Sequence, residues 1–119
     1  MNLDTAIQAH AQWKMKLRSA ISRCETVDAA TISADNCCEL GRWMHGEGRA
    51  RLGRSPVFAE CLTLHAAFHR EAGRVAMAIN GRRYDEADAM LASGTPYSEA
   101  SSAVGAALIR LKREVVAAA

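Results

Sequence analysis

The sequence predicts an all-α protein, an antiparallel four-helix bundle whose last helix is broken near Gly94–Pro96. Three observations lead there. Aromatic residues make up only 5% of the 119 and β-branched residues are sparse, while Ala, Leu, Met, Glu and Arg, which lose little side-chain freedom in a helix, abound. Apolar residues recur at intervals of three, four or seven along most of the chain, the repeat of a helix with one buried face. The interruptions between those stretches are clusters of Gly, Pro, Ser and Thr, which stop helices. With a hydrophobic content of 50%, residues 1–119 can form one core without disulfide staples, so a single domain is expected.

Taken in order, Leu3, Ile7, His10, Leu17, Ile21 and Cys24 share one stripe, which predicts a first helix from about Leu3 to Cys24 with both His10 and Cys24 on its buried side. Thr26 to Asp35 breaks that pattern and offers Ser33 or Asp35 as an N-cap. A second helix then carries Cys37 to His45. The run from Gly46 to Gly53 holds three glycines in eight residues and reads as an irregular or weakly helical connection. Ser55–Pro56 is an N-cap and first-turn pair that opens a third helix. On it Phe58, Cys61, Leu62, His65, Phe68, His69, Ala72, Val75, Ala76 and Ile79 form one sustained inward face, and Asn80–Gly81 supplies the stop. Tyr84 to Ala92 and Tyr97 to about Val116 are the two pieces of the last helix. Tyr97, Val104, Leu108, Leu111 and Val115 keep the bundle periodicity.

Charge and cysteine usage narrow the function classes. Fifteen basic and thirteen acidic residues give a formal charge of +2, spread along the chain rather than blocked, so no nucleic-acid partner is implied. The arginines at 42, 49, 51 and 54 read as solvated side chains beside a glycine-rich connection. No apolar run approaches the length needed to cross a bilayer, and Met1 to His10 is not a signal peptide, so a cytoplasmic protein without membrane insertion is expected. In a reducing cytosol Cys24, Cys37, Cys38 and Cys61 point to thiol or metal chemistry rather than disulfides. Cys24 and Cys61 fall on apolar stripes and are expected to be buried thiols.

The chemistry concentrates on histidine. His65-Ala-Ala-Phe-His69 puts two imidazoles on one helix face, about 6 Å apart, where they can converge on one ion. Alone, such a pair is better explained by two core-edge histidines hydrogen-bonded to neighbours. His10 adds a third imidazole on an otherwise apolar stripe, where burial without a partner is costly. A cysteine would complete a set of one thiolate and three imidazoles, which selects zinc over hard cations. Spacing alone does not choose between Cys37 and Cys38, and a buried Cys38 also packs well as a small hydrophobe.

Cys38-Glu-Leu-Gly-Arg-Trp43 resembles the C-x-L-G-x-W signature of the chemoreceptor zinc-binding (CZB) family. The resemblance extends to His10-Ala-Gln-Trp13-Lys14 upstream and His65-x-x-Phe68-His69 downstream, in the family's order, and spans nearly the whole chain. It implies a Zn2+ site made of His10, Cys38, His65 and His69. Around that site Gly41 is expected to permit a close approach, and Leu40, Trp43 and Trp13 to pack as apolar walls. Cys37, about 100° further round a helix than Cys38, is expected to face elsewhere, and His45 to be exposed beside the glycines.

Four protein donors fill a tetrahedral zinc and leave no position for an activated water. No nucleophile triad, phosphate loop or inward carboxylate pair offers another catalytic centre. The expectation is therefore a regulatory or sensor domain and not an enzyme. The resemblance implies an output of the chemoreceptor or diguanylate cyclase type, in cis or in trans, with zinc itself or an oxidant acting on the Cys38 thiolate as the signal. The alternative is a structural or dimerisation module with a permanent zinc. The long apolar stripes of the first and last helices predict a homodimer.

Overall fold

The computed structural model describes residues 3–118, and all regular structure among them is helical. The elements are α1 (Leu3–Ala11), α2 (Trp13–Arg23), α3 (Ala29–Ser33), α4 (Glu39–Trp43), a π-helical turn (Met44–Gly48), α5 (Arg49–Leu52), α6 (Pro56–Asn80), α7 (Tyr84–Met90) and α8 (Pro96–Ala118). Among these no helix is long and apolar enough to cross a membrane.

The longest element, α6, is the spine. The Ser55 hydroxyl accepts a hydrogen bond from the Phe58 N–H at 3.3 Å, Pro56 occupies the first turn, and Gly81 ends the helix, as the sequence predicts. Its inward stripe is buried from Phe58 to Ile79. Against it lies α8, in the opposite sense: Glu60 pairs with Arg110 at 2.7 Å near one end, and the Phe68 and Tyr97 rings meet at 5.4 Å further along. Thr95 caps α8 by accepting from the Ser98 N–H at 3.2 Å.

Running in the sense of α6, α1 brings Asp4 to Lys112 at 2.6 Å and the His10 ring to within 4.4 Å of Phe68. The α2–α3 connection then reaches the far end of α6, where the Asn80 amide bonds both the N–H and the carbonyl of Val27 at 2.8 Å. From there the chain returns in short pieces, with Ile32 beside His69 and Cys38 beside His65. Leu17, Leu40, Met44, Phe68, Val75, Leu91, Leu108 and Leu111 form the shared core.

Three local expectations need correction. The first helix is not continuous: Gln12 separates α1 from α2, its N–H bonding Ala9 rather than the residue four back. Cys24 is exposed, not buried. It ends α2 in the left-handed conformation (φ 53°) with its N–H on the Ala20 and Ile21 carbonyls, so the periodicity that would carry it inward has already stopped. The second helix is capped by neither Ser33 nor Asp35. Ser33 closes α3, a helix hidden inside the expected interruption and capped by Asp28, and the cap of α4 is Cys38 itself.

Candidate metal centre

Three elements that are far apart in sequence meet at one point. From α1 comes His10, from α6 come His65 and His69, one helical turn apart, and from the residue before α4 comes Cys38. The histidines are 7%, 0% and 1% exposed, the only buried polar side chains among the described residues. Each can offer a ring nitrogen within 4.8 Å of those of the other two. The Nε2 atoms of His65 and His69 lie 3.1 Å apart, and the Cys38 Sγ sits 3.5 Å from the first and 3.6 Å from the second.

Those separations test the fit of an ion. A tetrahedral zinc with bonds of about 2.0–2.3 Å spaces its ligand atoms by about 3.3–3.6 Å. The three contacts among His65, His69 and Cys38 match edges of such a tetrahedron to within a few tenths of an ångström, and a His10 ring nitrogen lies within 4.8 Å of those of both other histidines. A further sign is unmet bonding: His10 Nε2 is buried with no hydrogen-bond partner among the described residues, which is costly for an imidazole nitrogen.

Local backbone geometry prepares each donor. Cys38 is extended (φ −82°, ψ 162°) as the N-cap of α4, and its Sγ accepts from the Gly41 N–H at 3.2 Å. That N–H favours the thiolate form of the sulfur, partly offsetting the burial that disfavours it. Gly41 is required there: a Cβ would run into the Asp35 carbonyl oxygen, which bears out the expected close approach. The Ile32 carbonyl accepts from His69 Nδ1 at 2.8 Å. That bond fixes the proton on Nδ1 and leaves the Nε2 lone pair facing the cluster, an arrangement that recurs behind histidine metal ligands.

Electrostatics agrees. Burial, then the neighbouring His65 and His69, push His10 down to about 3, and burial chiefly, then His69, pushes His65 down to about 4. His69 is lowered by burial, against the Ile32 carbonyl that favours its charged form. All three are therefore neutral at neutral pH and present lone pairs. Burial raises the Cys38 thiol, opposed first by the Gly41 N–H, so a metal must displace its proton on binding.

The rest of the neighbourhood follows from packing. Phe68 touches both His10 and His69, the half-buried Trp13 meets the His69 ring edge-on at 5.8 Å, and Leu40 is buried beneath. Cys61 is buried as expected, its thiol pushed up to about 12. Cys37 is exposed, and so is His45, which pairs with Asp35 at 2.9 Å. The Ile32 carbonyl and α3 carried no sequence signal, since a backbone acceptor has no residue type. Gly73 was a visible clue: a Cβ there would strike the Ser33 hydroxyl, so this glycine lets α3 close on α6.

Against known proteins, the family model described as the chemoreceptor zinc-binding domain matches residues 10–76, more than half of the 119-residue chain. The matched span begins at His10 and contains Cys38, His65 and His69. No curated protein and no solved structure gives a significant match.

Proposed function

The chain belongs to the chemoreceptor zinc-binding domain family, and on that premise we propose that it is a regulatory domain whose Zn2+ is held by His10, Cys38, His65 and His69. The observation that carries this reading is the set of separations of 3.1, 3.5 and 3.6 Å among the His65, His69 and Cys38 donor atoms, close to the edges of a zinc tetrahedron, with a His10 ring nitrogen within 4.8 Å of those of both other histidines. Bound there, zinc supplies a cross-link between α1, the start of α4 and α6. The chain's residues do the rest. Gly41 and Ile32 orient the sulfur and the His69 ring, and Phe68 packs against the His10 and His69 rings. With all four positions filled by protein, the centre suits signalling and not hydrolysis.

The proposed role is to report zinc status from a cytoplasmic setting to an output of the chemoreceptor or diguanylate cyclase type, with residues 1–119 acting as one domain and pairing as a homodimer. Occupancy shifts the position of α1 and α4 relative to α6, and an attached or associated partner reads that shift. Metal analysis of the purified chain beside His69→Ala tests the site. One zinc per chain is expected in the wild type and none in the folded variant; a zinc-free wild type from zinc-rich medium would sink the proposal. If instead oxidant is the signal, Cys38→Ser should abolish oxidant-driven zinc release.

A permanent structural zinc is the second reading, favoured by the near-complete burial of the three histidines. Chelation separates the two. A folded apo domain supports a switch, and cooperative melting on metal removal supports a permanent zinc.

A further inference from the structure

A cleft of about 310 Å³ opens beside the centre, and His10, Lys16, Cys37, Cys38, Glu39 and Arg42 line it. Its walls include two of the four residues proposed to hold zinc, His10 and Cys38, whereas His65 and His69 are not among them. The Cys37 thiol is exposed, and the Cys37 carbonyl accepts from Arg42 Nη1 at 2.6 Å, which pins this residue's backbone at the rim. Deeper in, His10 is 7% exposed and its Nε2 lacks any hydrogen-bond partner among the described residues. A soft donor at the mouth thus precedes an unmet nitrogen on the wall.

We propose that Cys37 is a transit ligand: it takes zinc at the cleft mouth from an anionic low-molecular-weight carrier and passes it inward to Cys38 and His10. This rests on the zinc site proposed above. The carrier chemistry follows from the rim, where Lys16 and Arg42 outweigh Glu39. Such a rim repels the bare dication and attracts zinc already wrapped in carboxylates or thiolates. In the exchange the Cys37 thiolate forms a bond to zinc as one carrier donor leaves with its electron pair. The Cys38 sulfur then replaces that of Cys37, its proton passing to the departing carrier, and Cys37 is free again. No oxidation state changes. Cys37 does not stay bound because the Cys38 sulfur is already turned toward the Gly41 N–H, His65 and His69, while the Cys37 sulfur lies beside Asn36 Oδ1, at 3.6 Å.

A transit ligand alters rates in both directions and leaves the equilibrium in place. The test loads the full chain from zinc citrate and unloads it to EDTA, following Trp13 and Trp43 fluorescence by stopped flow. Cys37→Ser should slow loading and unloading by a similar factor, about tenfold, with an affinity change of less than about twofold. Cys37→His, which restores a metal donor at the rim, should recover part of the rate. Equal rates in wild type and Cys37→Ser would overturn the hand-off while leaving the zinc site intact. A loss of affinity matching the slower loading would also overturn it, by making Cys37 a permanent donor. A wild type that takes no zinc would defeat the site and the hand-off together.

Discussion

Gly41 shows how much one hydrogen atom decides. Its N–H holds the Cys38 sulfur and its missing Cβ makes room for the Asp35 carbonyl. The obstacle is backbone, which cannot swing aside. Gly41→Ala should therefore cost about 1–3 kcal/mol in urea denaturation and weaken zinc binding. The control is Gly105 on α8, where an added Cβ meets nothing within 4 Å; Gly105→Ala should stabilise the chain by about 0.5–1 kcal/mol. The histidines make a second prediction. Their folded values, about 3 for His10 and about 4 for His65, lie below the ordinary 6.5, so the unfolded chain takes up protons first. The stability they contribute to the zinc-free chain is present above about pH 6.5 and is lost as the pH falls toward the folded values. Urea midpoints on either side of that window check it, and a flat profile would contradict the burial.

Among the elements, α6 is legible and the return leg is not. Ser55, Pro56 and Gly81 are local signals for the ends of α6, and its stripe repeats for many turns, so sequence and structure agree on its bounds. Ser55→Ala removes one cap hydrogen bond and should cost about 0.5–2 kcal/mol without changing zinc stoichiometry, because His65 and His69 lie far from the frayed end. From residue 29 to residue 52 the chain instead forms α3, α4, a π-helical turn and α5. None of these is long enough to be stable alone. They are held by tertiary contacts: Ser33 against Gly73, the Ile32 carbonyl on His69, and Asp35 under Gly41. The same contacts turn Cys38 from a residue within a helix into the cap of one, which is what aims its sulfur at the histidines.

At the scale of the molecule, one ion bound at this point joins the first pass of the chain, the return leg and the spine. Zinc that binds only the folded state adds stability by mass action, about 4 kcal/mol when its free concentration is a thousandfold above Kd. Thermal melting of the wild type should fall on chelation and recover on zinc addition, whereas His69→Ala should melt alike with and without zinc. The buried core around Leu17, Phe68, Val75, Leu108 and Leu111 is what is expected to keep a zinc-free chain folded, since the Glu60–Arg110 and Asp4–Lys112 bridges away from the centre are exposed and contribute little.

By itself the sequence determined the helical class, the bounds of α6, the pairing of His65 with His69 on one face and the inward position of His10. All of these are properties of a single helix, set by a period of 3.6 residues and by caps a few residues away. The likeness of Cys38-Glu-Leu-Gly-Arg-Trp43 to a family signature singled out Cys38, which periodicity alone could not. Only the tertiary structure decided that Cys38 caps α4, that Cys24 turns outward, that α3 docks through Gly73 and that Cys37 sits on a cleft lined by His10 and Cys38. The reason is physical. Short segments take their shape from contacts such as Ile32 with His69 and Ser33 with Gly73, far apart in sequence, and no local pattern encodes where those contacts fall.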